Sequence, residues 1–188
     1  MDFVLVLRIT HHDFVVVFVE GYEAGSITLN DSLSNAWTPL TKLAAPHSGQ
    51  LFYAYNATVG AGHTFTASQS GFFSGVVCVQ AWSGIQSSSD PLESGSNIVL
   101  GNVVTGVSET AITTGDLIVM GFGGFGATPP LTIDSSFTIS DQGLATGAAD
   151  CAGMAYLIAP NTSAVDPAWT APGASSDGSI NGAVFAQL

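Results

Sequence analysis

Positive charge is almost missing from this chain. Among 188 residues only Arg8 and Lys42 are fixed cations, against 14 Asp and Glu, for a formal net charge of −12. Nucleic-acid binding needs several phosphate-neutralising cations, so that partner is excluded. An anionic membrane surface is disfavoured for the same reason. Charge of either sign is scarce too. Charged residues make up 9% of the chain, where an ordinary soluble domain carries roughly 25%. The surface is therefore built of Ser, Thr, Gly, Asn and exposed apolar groups, or a partner covers part of it. No apolar run approaches the roughly 18–20 residues of a membrane span. Cys78 and Cys151, the two cysteines, are too few for a disulfide framework. They read as buried thiols acting as small apolar groups, or as one bridge, which only geometry decides. The first eight residues, MDFVLVLR, lack the basic start, long apolar region and small-residue cleavage site of a secretory signal. They read as a first strand. The expectation is a chain that stays inside a cell until assembly or lysis, or one from which a signal has been removed.

What is present is a pattern stated twice. Asp13 opens the run Phe14 to Val19, and Asp116, 103 residues later, opens Leu117 to Phe122. Each run is apolar, rich in strand formers and short for a helix. The same offset carries Asp31 onto Asp134 and Tyr53 onto Tyr156. Slightly longer offsets carry Phe65-Thr66-Ala67 onto Trp169-Thr170-Ala171, and the run from Gly75 to Gln80 onto the run from Gly182 to Gln187. Ordered correspondences at nearly one spacing indicate a duplicated strand pattern.

Between these landmarks the chain reads as short strands divided by Gly, Ser, Asn and Asp turns, with no helical periodicity of helical length. Extended segments are expected at 3–9, 14–20, 26–30, 51–56, 63–68 and 74–82. A polar loop at 83–95 joins the halves, and strands resume at 97–105, 117–122, 131–139, 152–159, 168–171 and 179–188. The fold class expected is all-β: a single antiparallel β-sandwich of eight to ten strands over residues 1–188. It is jelly-roll-like, with pseudo-repeats at 13–82 and 116–188. Period two puts Val77, Val79 and Ala81 on one side of their strand and Val76, Cys78 and Gln80 on the other. The all-apolar set is expected to face the core. In the echo, Val184, Ala186 and Leu188 match that set.

Chemistry is thinly signalled. Residues 121–126, GFGGFG, spell G-x-G-x-x-G. A dinucleotide site needs a helix to open there, whereas Pro129 and Pro130 bias the following backbone away from one. The expected role is a flexible or tightly packed glycine loop. His11, His12, His47 and His63 are read as solvated or hydrogen-bonded loop residues, since adjacent histidines on an extended chain diverge. Asp31, Asp90 and Glu93 offer hard oxygens without the spacing of a calcium loop, leaving a surface calcium ion as an open alternative. Repeated Asp13/Asp116 and Asp31/Asp134 sit at strand ends, where turn capping explains them. Glu20, Glu23, Glu93 and Glu109 supply carboxylates, but nothing in the sequence pairs them for glycosidase work. No nucleophile elbow occurs. Trp37, Trp82 and Trp169, with Tyr22, Tyr53 and Tyr55, fit either a sugar-stacking platform or core. No catalytic, cofactor-binding or metal-ligating residue is assigned, no cofactor is expected, and the chain is not expected to be an enzyme.

Three phrases go together: residues 31–39, DSLSNAWTP; residues 51–54, LFYA; and residues 80–84, QAWSG, leading to Asp90-Pro91-Leu92. With Gly115-Asp116-Leu117 opening the second half, they resemble a β-sandwich module of bacterial surface proteins and phage structural proteins. His12-Asp13 stands where that module has Gly-Asp. The resemblance implies a scaffold or adhesion role and carries over no catalytic residue. With the low charge and the lack of a signal, the expectation is a non-enzymatic virion component: a capsid decoration or cement protein, or a head or tail fibre domain. Its partners would be capsid protein or sister subunits in a homo-oligomer. The alternative is a carbohydrate-binding or adhesion module of a bacterial cell surface, with polysaccharide as ligand.

Overall fold

The structure, a computed structural model, describes residues 5–8, 14–22, 25–42, 47–69, 75–99, 107–145, 149–174 and 177–188. His11, His12, Asp13, Glu23, the ends of the first expected strand and residues 100–105 lie outside them. Among the described residues the regular structure is all strand: β1 (Leu5–Arg8), β2 (Phe14–Gly21), β3 (Ile27–Asp31), β4 (Thr38–Pro39), β5 (Ser48–Tyr55), β6 (Ala61–Gln69), β7 (Gly75–Trp82), β8 (Leu92–Val99), β9 (Leu117–Phe125), β10 (Thr132–Ile133), β11 (Thr138–Leu144), β12 (Asp150–Ile158), β13 (Trp169–Thr170) and β14 (Gly178–Phe185). No helix there is long and apolar enough to cross a membrane.

The all-β expectation holds, with more strands than the sequence suggested. They form four antiparallel sheets. Two are large, in the orders β4-β5-β2-β7 and β11-β12-β9-β14-β8, and two are small, β1-β6-β3 and β10-β13. The continuous apolar run of β2 explains this layering. A sheet wet on one face alternates apolar with polar, whereas a strand covered on both faces does not. Every residue of β2 is buried, as are the first eight of β9.

Three cores separate the sheets. Phe14, Val16 and Phe18 meet Leu117, Val119, Met154 and Phe185 between the two large sheets. Val15, Val17 and Val19 turn the other way, to Ile27, Leu29, Phe65 and Ala67 of the first small sheet. Ile118, Met120 and Phe122 pack on Leu131, Phe137 and Trp169 at the far side of the second large sheet. The face assignment made from the sequence is corrected here. Val77, Val79 and Ala81 lie with the outer core, while Val76 and Cys78 enter the central one. In β14, Ala183 and Phe185 enter the central core and Val184 the outer one. Both faces are covered, so the all-apolar side was not a guide to the centre. The two cysteines are free and buried, Cys78 in the central core and Cys151 in the outer one.

The strand registers keep one offset. Phe14 lies opposite Tyr55 and Trp82, and Leu117 lies opposite Ile158 and Phe185. Asn30 lies opposite Thr66, and Ile133 opposite Trp169. Each residue of the second set stands 103 places after its counterpart in the first. The closing strands therefore match as Gly75 with Gly178, four residues from the match suggested by the Gly-apolar pattern alone.

The large sheets approach closely because glycine faces bulk. The glycines of residues 121–126 were expected in a loop, but Gly121, Gly123 and Gly124 sit inside β9. A methyl added at Gly121 would lie 2.3 Å from Phe18 Cδ2, and one at Gly123 would lie 2.5 Å from Glu20 Cγ. Gly49, in the sheet of Phe18, leaves its ring the same kind of slot, with an added methyl 1.9 Å from Cζ. Glycine weakens a strand, and it recurs where another layer comes close. Gly121→Ala should therefore lower the unfolding free energy by about 1–3 kcal/mol. Gly60→Ala, with no atom within 4 Å of the added carbon, should change it by less than about 0.5 kcal/mol. Urea denaturation of both variants reads the contrast, and equal effects would rule out close sheet approach as the reason for the glycine.

A candidate cation-binding centre between the sheets

The central core is apolar at one end and polar at the other. At the apolar end Phe14, Tyr53 and Phe185 pack ring on ring, with centroids 4.8 to 6.2 Å apart. At the polar end period two turns Glu20 of β2, Asp150 of β12, and Ser179 and Asn181 of β14 inward. All four are buried, with Glu20 0% exposed. His47 joins them from the residue before β5. The Ser179 hydroxyl accepts the Gly49 N–H at 2.7 Å.

His47 and Asp150 meet directly, Nδ1 to Oδ1, at 2.5 Å. They stand 103 residues apart, the spacing that also relates the strand registers. Glu20 likewise touches Gly123, and Phe18 touches Gly121, each again 103 residues on. His47 has φ of 49°, a left-handed backbone that costs an L residue about 1–2 kcal/mol. Its ring is held between Tyr22 and Phe125, with centroids 4.7 and 4.5 Å away. Tyr22 and Phe125 are themselves part-exposed, so the imidazole forms the roof of the polar end.

Glu20 is the anomaly. Both carboxylate oxygens are buried, and among the described residues neither has a hydrogen-bond partner. Burial raises its pKa, the charge of Asp150 raises it further, and Lys42 opposes both. One ligand atom each from Glu20, His47 and Asp150 lie within 4.8 Å of one another. The sequence offered no sign of this meeting, since the three residues share no local motif. The one available signal was the 103-residue offset between His47 and Asp150.

Other residues singled out in the sequence do structural work. Asp31 organises the DSLSNAWTP phrase. It accepts the N–H groups of Leu33 at 2.7 Å and Asn35 at 3.3 Å, and the Trp37 indole N–H at 2.6 Å. The Asn35 side chain then ties the phrase to Thr58. His63, expected in a loop, is buried in β6 against Phe65, with Nε2 3.3 Å from Asp31 Oδ1. Asp116 accepts from Thr113 N–H and so caps its own turn, whereas Asp134 accepts from Ala168 N–H and ties its turn to the segment before β13. Asp90 accepts the Tyr53 hydroxyl at 2.8 Å. Glu109 takes the hydroxyls of Ser94 and Ser96. Two carboxylate neighbours that nothing in the sequence marked meet in the fold: Glu93 lies against Asp116, its pKa raised by burial and by that contact, and Glu20 lies near Asp150. Trp37, Trp82 and Trp169 pack on Phe65, Tyr156 and Phe122, which is core packing and not a row of exposed rings.

Two buried carboxylates should pull stability in opposite directions with pH. For Asp31, burial raises the pKa, but the bonds from Leu33, Asn35 and Trp37 and the His63 charge outweigh it and lower the pKa overall. Its contribution is present above the unfolded value near 3.8 and lost as pH falls through the lower folded value. Glu20 has the raised value, so above the unfolded value near 4.5 the folded state holds a proton that the unfolded state releases, and stability falls as pH rises. In chelator-treated protein at neutral pH, Glu20→Gln should therefore raise the unfolding free energy by about 1–3 kcal/mol. Asp31→Asn should lower it by a similar amount. Urea titrations from acid to neutral pH check both signs, and a Glu20→Gln loss at neutral pH would show that the carboxylate has a compensating partner.

No family model, curated protein or solved structure matches this chain, so what its polar centre does rests on the chemistry of these residues alone.

Proposed function

We propose that this chain is a non-enzymatic structural module of a virion, a capsid decoration or cement protein or a fibre domain, whose work is contact with capsid protein or sister subunits. The observation that carries this reading is where the ionisable groups are. Among the described residues most carboxylates and both imidazoles are buried or held by backbone N–H and hydroxyl donors, while Asp166 and Asp177 stand on the surface. The open groove described, about 410 Å³, is lined by Leu40, Thr41, Leu92, Gly95, Ser96 and Asn97, none of them titratable. The surface of a chain with 9% charged residues loses little solvation when a partner covers it. The tucked tryptophans count against the sugar-stacking alternative.

The finer fold reading belongs with this proposal. The two halves are copies of one unit, each a large sheet backed by a small one. Along the chain the strands pass between the two: β2 in the large sheet, β3 in the small, β4 and β5 in the large, β6 in the small and β7 in the large. That alternation is the jelly-roll-like feature. A duplicated unit packed face to face makes a rigid block that can add area to an assembly without chemistry of its own.

Light scattering of the purified chain over a wide concentration range tests the role. A defined oligomer, or co-sedimentation with a viral shell, is the expected result. A monomer at every concentration that binds no shell overturns it, and retention on a polysaccharide column moves the assignment to an adhesion module.

A further inference from the structure

We propose that Glu20, His47 and Asp150 bind one divalent transition-metal ion of the zinc type, held between the two large sheets. The proposal goes beyond the contact role and does not depend on it.

Three separate elements deliver the donors: β2, the residue before β5, and the start of β12. Their ligand atoms lie within 4.8 Å of one another. An ion bonded at about 2.0–2.2 Å to each donor in a tetrahedral site sets the donors roughly 3.4 Å apart, so Glu20 closes in on the pair while the 2.5 Å contact of His47 Nδ1 with Asp150 Oδ1 opens to admit the ion. The independent observation is the Glu20 carboxylate. It is fully buried with both oxygens unpartnered among the described residues, and a buried carboxylate in a protein is ordinarily hydrogen-bonded, paired or bound to a metal. Lys42 contributes opposing charge to Glu20, yet neither Glu20 oxygen has a hydrogen-bond partner.

Space and orientation are built in as well. Gly123 faces Glu20 where any larger residue would strike its Cγ. Tyr22 and Phe125 fix the imidazole plane from outside. The donor set selects the ion. One imidazole nitrogen with two carboxylate oxygens suits zinc, manganese or ferrous iron, while calcium and magnesium prefer an all-oxygen shell. Three protein ligands leave a further position for solvent. Glu20 belongs to one large sheet and Asp150 to the other, so the ion would cross-link the layers in a chain whose two cysteines are free.

The test uses the full chain, treated with EDTA and titrated with zinc by calorimetry and thermal denaturation, with calcium in parallel. One zinc per chain is expected, with an unfolding temperature that climbs with zinc concentration. Glu20→Gln and Asp150→Asn should each weaken binding by at least roughly tenfold while circular dichroism stays that of the parent. X-ray absorption on the unaltered zinc-loaded chain reads the ligands without any variant and should show nitrogen and oxygen but no sulfur. The proposal is overturned by failure to bind stoichiometric zinc, by unchanged affinity in both variants, or by a sulfur ligand. Calcium binding as tight as zinc overturns the ion class.

Discussion

The near contact of β2 and β9 is the constraint on which the rest of this structure depends. Two sheets can pack this closely only where one supplies bulk and the other supplies none. Phe18 and Glu20 supply the bulk, and Gly121 and Gly123 give way to them. Each pair stands 103 residues apart, with a large residue in β2 and a glycine in β9. Two identical halves would set Phe18 against a second phenylalanine and Glu20 against a second carboxylate. The sequences of β2 and β9 differ in bulk at Phe18 and Gly121 and at Glu20 and Gly123, and stay apolar at the positions before them.

From that contact the layers follow. Fixing β2 against β9 fixes their neighbours, so β5 and β7 meet β12 and β14 around the central core. The outward faces of both large sheets are then still apolar. Val15, Val17 and Val19 on one side, and Ile118, Met120 and Phe122 on the other, each need a cover. The small sheets and their loops provide it. The acidic excess is handled in the same economical manner. Asp31, Asp90, Asp116, Asp134 and Glu109 each accept hydrogen bonds that fix a turn or an adjoining strand. With so few cations in the chain, backbone N–H and hydroxyl groups replace ion pairs as the means of satisfying carboxylates.

How much of this could be read from the sequence depends on the range of the signal. The strands were legible because strand formers and turn residues are local features. Asp31 was legible as a cap because its partners lie within six residues. The face of β7 was not, because a strand covered on both sides has no polar side to mark the outside. The glycines of β9 read as a loop because their partners, Phe18 and Glu20, are about a hundred residues away. The polar centre was the least legible of all. Glu20, His47 and Asp150 sit on three elements, and nothing near any of them in the chain marks the other two.

Those three residues also set limits on what the centre can be. A polar cluster kept only to specify how two sheets pack should be satisfied internally, since half-satisfied networks cost more than apolar packing. His47, Asp150 and Ser179 meet that standard. Glu20 does not: among the described carboxylates it alone has both oxygens buried and unpartnered. A glutamine would fill the same volume without the charge, and glutamine already serves this chain elsewhere, as when the Gln50 amide donates to Leu40 O at 2.7 Å. What separates glutamate from glutamine at this position is the ability to meet a positive charge. Lys42 supplies some of that opposing charge, and His47 and Asp150 bring two further donors to the same carboxylate. Three donors within 4.8 Å of one another, with Gly123 leaving room for the Glu20 side chain among them, are what the proposed cation between the sheets would use.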